Sequence, residues 1–444
     1  MKLSSDSQTV RVLVLGMLVL VLQIPITKIG GLITERQSRS HEAAAEISSK
    51  WGGAQVITGP ALLVPYTEHW SETTANGRLR TRTAARHIVI LPERLEVNGM
   101  LDAEVRRRGI FTLPVYGLEL RVRGSFRRPD LGSLDIDPDI VNWQQARLVI
   151  GISDVRAIRT TATLNWSGAH REFLPGASGL AEAATGIHAD VPVPPSEPNI
   201  DFDFTLSVNG SNSVFFTPFA KNADIRLRSN FAHPSFQGNW LPSKRSVNDS
   251  GFEAQWTIPY LGRGYPQVWT TKTDQRAAVA ASRFGVALSG QIDHYRMAQR
   301  SIKYAALFIV LTFATVWLIE ILTGIRAHPV QYLLLGAALC LFYLLELSLA
   351  EHLSFPVSYT IAAVAIIFMA STYSLVMLRR PGRAAVVSGG VSALYFYLYF
   401  LLSNEDYALL VGSIGLFAVL GAVMIATRRV DWNAAGTRGR TPEP

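Results

Sequence analysis

The chain has 444 residues, a formal net charge of +8 and a single cysteine, Cys340. One cysteine excludes an internal disulfide, so export of any part of the chain has to be inferred from membrane segments and not from cysteine usage. Apolar residues are concentrated at both ends, whereas the middle has the composition of an ordinary soluble domain. This distribution indicates an integral membrane protein with a large water-exposed insert.

The first apolar segment runs from residue 10 to residue 26 and contains one arginine and one glutamine. It is either a cleaved signal peptide or a retained anchor. Because no small-x-small cleavage site follows, we predict a signal anchor spanning residues 10–29, preceded by a cytoplasmic N-terminus at 1–9. Strong helix formers at 34–50 predict a helix that leaves the membrane.

Alternation of apolar and polar residues with a period of two marks three stretches, at 118–123, 201–208 and 252–258. This pattern is typical of half-buried antiparallel strands. Asn-Gly pairs at 76–77, 98–99 and 209–210 are interpreted as turns between strands. We therefore predict a β-rich, antiparallel, sandwich-like insert over residues 30–302. Its Pro- and Gly-rich stretch at 174–199 is either a surface loop or, as we prefer, a boundary between two lobes.

Helical periodicity returns after Gln291, and five further apolar runs follow, at 304–323, 330–350, 356–378, 384–402 and 407–427. Each is long enough to cross a bilayer. The sequence therefore predicts a polytopic α-helical membrane protein with six spans, of which spans two to six occupy residues 303–427. The β-rich insert lies between spans one and two.

The charges of the short connections predict the orientation of these spans. Arginines occupy alternate connections and the tail, at positions 326, 379, 380, 383, 428, 429, 438 and 440. The intervening loops contain Glu351 in one case and Glu405 with Asp406 in the other, and neither has Lys or Arg. Since Lys and Arg mark the cytoplasmic side, both termini, including the tail at 428–444, are predicted to be cytoplasmic and residues 30–302 periplasmic. This accounts for the arginine excess without a nucleic-acid partner.

Motifs for catalysis, cofactors or metals are absent from the sequence. The segment 176–179 lacks the spacing of a nucleophile elbow, and no glycine-rich loop ends in Gly-Lys-Ser/Thr. The nine histidines are scattered, with no helical pair beside a carboxylate. We expect a non-catalytic protein with no cofactor and no bound metal.

Four polar residues in or beside the spans are candidate functional groups: Glu320, Glu346, Glu351 and His352. A charged side chain costs about 2.5–3.5 kcal/mol at the centre of a membrane helix. Glu346 lies roughly 24 Å from the inner face, near the outer end of its span. We expect it to form a structural hydrogen bond to another helix, with a functional acid as the alternative; candidate partners are Tyr343 on its own helix and Tyr395, Tyr397 and Tyr399 on span five. Glu320 is expected to reach the interface or to pair with Arg326.

Within the insert, the stretch 233–256 contains turn-forming prolines and glycines, aromatic side chains and basic groups. We single out four candidate interaction residues in it: His233, Phe236, Trp240 and Arg245. Read alone, the stretch is better interpreted as a structural loop that enters a strand, and the interaction role is the alternative.

Several segments resemble the CreD family of Gram-negative inner-membrane proteins: TGPALLVPY at 58–66, LPE at 91–93, the stretch 233–256, the membrane stretch 328–352 and RRVDW at 428–432. They cover nearly the whole chain in the same order. The resemblance implies a cell envelope integrity protein whose expression is controlled by a two-component system, and which is associated with tolerance to envelope stress and β-lactams. It implies no established reaction and no catalytic residues.

The expected function is therefore support of the envelope through a periplasmic domain. Expected partners are membrane lipids and either envelope proteins or peptidoglycan-related components. The alternative is a transporter or lipid-handling protein that uses Glu346 with Glu351 and His352 at the outer mouth. A periplasmic hydrolase is a third hypothesis, for which no nucleophile and base pair was found.

Overall fold

The computed structural model describes residues 8–73, 79–134, 136–177, 179–194, 198–288, 294–323, 326–404 and 407–428. Its helices are α1 (Gln8–Trp51), α2 (Arg276–Ala281), α3 (His294–Lys303), α4 (Ala305–Thr323), α5 (Pro329–Ala350), α6 (Phe355–Leu378), α7 (Pro381–Ser403) and α8 (Ala408–Thr427). Its strands up to residue 190 are β1 (Gln55–Thr73), β2 (Leu79–Ile90), β3 (Arg94–Arg108), β4 (Phe111–Arg127), β5 (Arg147–Ile152), β6 (Thr163–Trp166), β7 (Ala169–Glu172), β8 (Leu174–Pro175) and β9 (Gly186–Asp190). The later strands are β10 (Asn199–Ser211), β11 (Ser213–Phe216), β12 (Asn222–Ser229), β13 (Pro234–Gly238), β14 (Lys244–Asn248), β15 (Gly251–Pro259), β16 (Val268–Thr270) and β17 (Phe284–Leu288).

The chain divides into two compact units. The helical unit combines residues 1–41 with 291–444, and the β unit comprises residues 42–290. Helix α1 is continuous from Gln8 to Trp51, so the predicted anchor and the predicted exit helix are one element. The predicted tail at 428–444 lies outside the described residues apart from Arg428, and of the predicted terminus at 1–9 only the last two residues are described.

In the described part of the β unit, the strands form two sheets. The first has the order β13-β17-β11-β1-β5-β9-β8, with β2 paired to β1 and β16 paired to β2. The second has the order β14-β15-β12-β3-β4-β10-β6-β7. Buried side chains of both sheets share one hydrophobic core, for example Leu62 and Ile150 from the first sheet with Leu120 and Phe204 from the second. The two sheets therefore pack face to face.

The alternating stretches lie in strands with the predicted faces buried. In β10, Phe202, Phe204 and Leu206 are buried, whereas Asp201 and Asp203 are exposed. The direction of pairing differs from the prediction at two places, because β1 pairs with β11 and β3 pairs with β12 in parallel. Alternation reports which face of a strand is buried and carries no information about the direction of its neighbour.

Two of the three predicted Asn-Gly turns are wrong. Residues 98–99 lie inside β3 and residues 209–210 inside β10, and the pair at 76–77 lies outside the described residues. At Gly99 an added Cβ would lie 2.8 Å from a side-chain atom of Leu227, and at Gly210 it would collide with the ring of Tyr116. These glycines allow neighbouring side chains to approach the backbone closely, a role that sequence alone does not separate from a turn.

The predicted lobe boundary at 174–199 contains β8, β9 and the first residue of β10. Strand β9 pairs with β5, which precedes this stretch, and β10 pairs with β4 and β6. Both sheets thus combine strands from before and after the stretch.

Five of the described helices are long and apolar enough to cross a membrane: α1 from Val10, α4, α5, α6 and α7. The sixth predicted span corresponds to α8, whose apolar part, Leu409–Ile425, is shorter. The prediction of an apolar N-terminal helix, a β-rich middle and apolar helices after it is confirmed.

Aromatic packing joins α5, α6 and α7, since the ring of Phe342 lies 5.3 Å from that of Tyr359 and 4.5 Å from that of Tyr395.

Candidate functional site

The stretch 233–256 supplies an edge strand to each sheet. Strand β13 ends the order of the first sheet and pairs with β17, and β14 ends the order of the second and pairs with β15. Each edge strand leaves one side of its backbone without a ladder partner among the described strands. The stretch is therefore placed where an extended segment of another chain can add to a sheet.

Two of the four candidate interaction residues are packed against the core. The ring of Phe236 lies 5.6 Å from that of Phe252 and 5.9 Å from that of Trp256. Trp240 accepts a 3.2 Å hydrogen bond from the indole N–H of Trp256 through its carbonyl, and its ring packs on Gly262. Edge-to-face aromatic pairs of this kind stabilise a fold, so these two side chains hold the edge strands in place.

The other two candidates, His233 and Arg245, are exposed. All five residues of β14 are exposed, including Lys244 beside Arg245. Val247 is 48% exposed and Leu241, just before the strand, is 69% exposed. No carboxylate in the described part of the chain pairs with Lys244 or Arg245. The β14 edge thus presents two basic groups next to exposed apolar ones.

Glu346 on α5 is fully buried in the helical unit, with 0% of its surface exposed. The Ser301 hydroxyl of α3 donates a 2.9 Å hydrogen bond to its Oε2. Its Oε1 has no hydrogen-bond partner among the described residues. The expected hydrogen bond to another helix is present, but its donor is Ser301 and not one of the candidate tyrosines: the Tyr397 hydroxyl donates to the Val411 carbonyl, and the Tyr343 hydroxyl is without a partner in the described structure. The register of α3 against α5 makes Ser301 the partner of Glu346, and this register cannot be read from the sequence.

The remaining membrane acids form ion pairs with α1. Arg11 Nη2 lies 2.8 Å from Glu320 Oε1, and the same oxygen accepts the Ala327 N–H at 2.5 Å. Glu351 Oε1 lies 3.7 Å from Arg36 Nε and accepts a 3.4 Å hydrogen bond from the Tyr295 hydroxyl. These pairs tie α1 to both ends of the helical unit.

The structure does not assemble Glu346, Glu351 and His352 into one centre. Glu346 and Glu351 have different partners, and His352 is exposed in the turn after α5. No cluster of three or more metal-ligating side chains occurs among the described residues. The sequence contained one overlooked signal: Arg11 and Glu320 are unlike charges near the predicted inner ends of their spans, so they lie at matching depth.

Sequence reasoning also missed a buried arginine in the β unit. Arg263 is 8% exposed, donates to the Gln267 side-chain oxygen, and lies over the rings of Tyr260 and Tyr265 at 5.1 Å from each. Burial lowers the pKa of this guanidinium. The Gln267 amide in turn donates to the carbonyls of Leu91 and Pro92, at 2.7 and 2.8 Å. The LPE segment at 91–93 is thus held by residues 263–267, which indicates a structural role.

Comparison with known proteins identifies the family. The family model for Inner membrane protein CreD matches residues 7–433. The chain is 32% identical over 419 residues to Inner membrane protein CreD of Escherichia coli strain K12, covering 94% of this chain and 92% of that protein. The chain belongs to the CreD family. The match to an inner membrane protein, together with the apolar helices, supports an inner-membrane location for this CreD-family chain.

Solved structures give only weak matches to this CreD-family chain. A proposed protease from Parabacteroides distasonis is 8% identical over 68% of this chain and 58% of that chain, with a TM-score of 0.23. Yeast LTA4 hydrolase is 10% identical over 80% of this chain and 69% of that chain, with a TM-score of 0.22. These TM-scores are too low to indicate a shared fold or activity.

Proposed function

We propose that this CreD-family chain is a non-catalytic inner-membrane protein that supports the integrity of the cell envelope and tolerance to β-lactams. In this proposal residues 30–302 are periplasmic, and the β unit contacts an envelope protein or a peptidoglycan-related component. The observation that supports it best is the β14 edge, where Lys244 and Arg245 lie exposed beside an edge backbone. A basic edge of this kind complements an extended acidic segment of a partner.

The test reverses the charge of the edge. Cells that lack their own copy of the gene and express the double variant K244E/R245E should become sensitive to β-lactams and to envelope stress. The matched control is Arg121→Glu, an exposed arginine on the central strand β4 of the same sheet. This control should keep wild-type tolerance at the same protein level. Full tolerance of the double variant, or equal sensitivity of the control, would contradict the proposed contact.

A second candidate function is transport or lipid handling through the membrane helices. It is favoured by Glu346, whose Oε1 is buried without a hydrogen-bond partner among the described residues. A buried ionisable group within a membrane span is a functional candidate by default. The two candidates differ in whether loss of this carboxyl proton affects the envelope phenotype.

A further inference from the structure

A large elongated cavity lies between α4, α7 and α8 of the helical unit. Its volume is about 1160 Å³, and its wall includes Leu311, Leu318, Leu394, Leu401 and Val419. Sites for small ligands enclose about 300–1,000 Å³, so this space is large for a compact solute. It is a separate feature from the buried Glu346, which is not part of its lining.

Four hydroxyl groups in the cavity wall donate hydrogen bonds to backbone carbonyls of the protein. The hydroxyls of Thr315, Ser413 and Thr427 donate to the carbonyls of Leu311, Leu410 and Val423, at 2.8, 2.9 and 2.8 Å. The Tyr397 hydroxyl donates to the Val411 carbonyl at 2.6 Å. The wall therefore presents mainly hydrocarbon, which suits an acyl chain and not an ion or a polar solute.

The length of the cavity fits the same ligand. Its lining extends from Tyr304, just before α4, to Leu318 on α4. At 1.5 Å per residue this distance is about 21 Å. The hydrocarbon depth of one leaflet is about 15 Å, half of a bilayer core of about 30 Å. A lipid chain that enters at one end can therefore lie within the cavity over its whole length.

Two arginines flank the cavity lining along the chain of α7 and α8, although neither is itself a lining residue. Arg428 directly follows Thr427, a lining residue. Arg383 precedes the lining residue Gly390 on α7 by seven residues, two turns, and so lies on the same helix face. In the described part of the chain, neither arginine forms an ion pair with a carboxylate. The long side chain of an arginine can extend to the headgroup level of a bilayer, where it attracts anionic lipid.

We infer that this cavity binds an anionic phospholipid, with its acyl chains between α4, α7 and α8 and its phosphate at Arg383 and Arg428. The hydrocarbon wall holds the chains, and the arginine pair selects the headgroup. In the proposed topology this end faces the cytoplasm, so the lipid belongs to the inner leaflet. The inference concerns the helical unit and does not depend on the proposed contact of the β unit.

The experiment uses the full-length protein in detergent with phosphatidylglycerol as the probe, and counts retained lipid by native mass spectrometry. Gly390→Phe should fill the cavity, and an added Cβ at Gly390 meets no atom within 4 Å, so the fold accommodates the change. Gly389→Phe is the matched control, because its Cβ is equally free and the residue does not line the cavity. Wild type and the control should retain at least one phosphatidylglycerol through a delipidating wash, and Gly390→Phe should retain none.

A second arm tests the headgroup. Replacing either Arg383 or Arg428 by glutamine should lower the preference for phosphatidylglycerol over phosphatidylcholine by about fivefold. This factor corresponds to about 1 kcal/mol of attraction between one arginine and an anionic lipid. Arg380→Gln, at the extended residue just before α7, should leave the preference unchanged. Equal retention in the two phenylalanine variants, or no lipid in the wild type, overturns the inference. So does a lipid-free dimer that Gly390→Phe converts to monomer, which would assign the cavity to a second copy of the chain.

Discussion

At the scale of single residues, the membrane acids differ in how completely their hydrogen-bonding capacity is met. Glu320 and Glu346 each have one oxygen without a hydrogen-bond partner among the described residues. The other oxygen of Glu320 has both an ion pair and a backbone donor, whereas that of Glu346 has a single donor, Ser301. A buried acceptor that loses its donor costs about 1–3 kcal/mol. Ser301 is therefore the residue on which the environment of Glu346 depends most directly.

Glu346→Gln keeps the size of the side chain and its hydrogen bond to Ser301 while removing the ionisable proton. If the envelope function belongs to the β unit, this variant should keep wild-type β-lactam tolerance at every pH tested. Its thermal unfolding in detergent should match the wild type, whereas Ser301→Ala should lose about 1–3 kcal/mol of stability. Loss of tolerance in Glu346→Gln at unchanged stability would instead support the transport or lipid-handling candidate.

At the scale of elements, the hairpin of β14 and β15 carries the exposed basic edge, and its turn depends on one glycine. Gly251 has φ +138°, and an added Cβ would collide with the Ser229 carbonyl oxygen. A side chain at such a position is strained whether or not the surrounding atoms move. The hairpin is thus held by backbone geometry as well as by the packing of Trp256 and Phe252.

Gly251→Ala should destabilise the full-length protein by about 1–3 kcal/mol or more, because it adds both backbone strain and a collision with β12. Chemical denaturation in detergent, followed by tryptophan fluorescence, measures the loss. Gly264→Ala is the control, since an added Cβ there meets no atom within 4 Å. Equal stability of the two variants would show that the turn does not require glycine.

At the scale of the whole molecule, the arrangement of the spans relative to the membrane is an expectation from charge alone. The chain itself offers a clean test, because its one cysteine, Cys340, is buried at 3% exposure. The native protein should therefore react little with a maleimide reagent. Single cysteines can then be introduced after Cys340→Ala.

A cysteine at Ser246 on β14 should react with a membrane-impermeant maleimide in cells whose outer membrane alone is permeabilised. A cysteine at Arg380, before α7, should react only after the inner membrane is broken. These results would place the β unit in the periplasm and the arginine-rich connection in the cytoplasm. The reverse labelling pattern would reject the proposed topology.

The sequence by itself determined the class of the protein, its family and the buried faces of its strands. Apolar runs of span length and alternation with a period of two are local patterns, so they are readable without knowing which elements meet. The aromatic and glycine signals were less specific. Phe236 and Trp240 are predicted as contact residues but pack on the core. Gly99 and Gly210 are predicted to lie in turns but lie within strands.

Only the tertiary structure decided the contacts between elements. It selected Ser301 as the partner of Glu346, Arg11 as the partner of Glu320, and the two edge positions of β13 and β14. It also brought α4, α7 and α8 around a common cavity. The physical reason is that helix register and strand order depend on packing between residues far apart in the chain, which local periodicity does not encode.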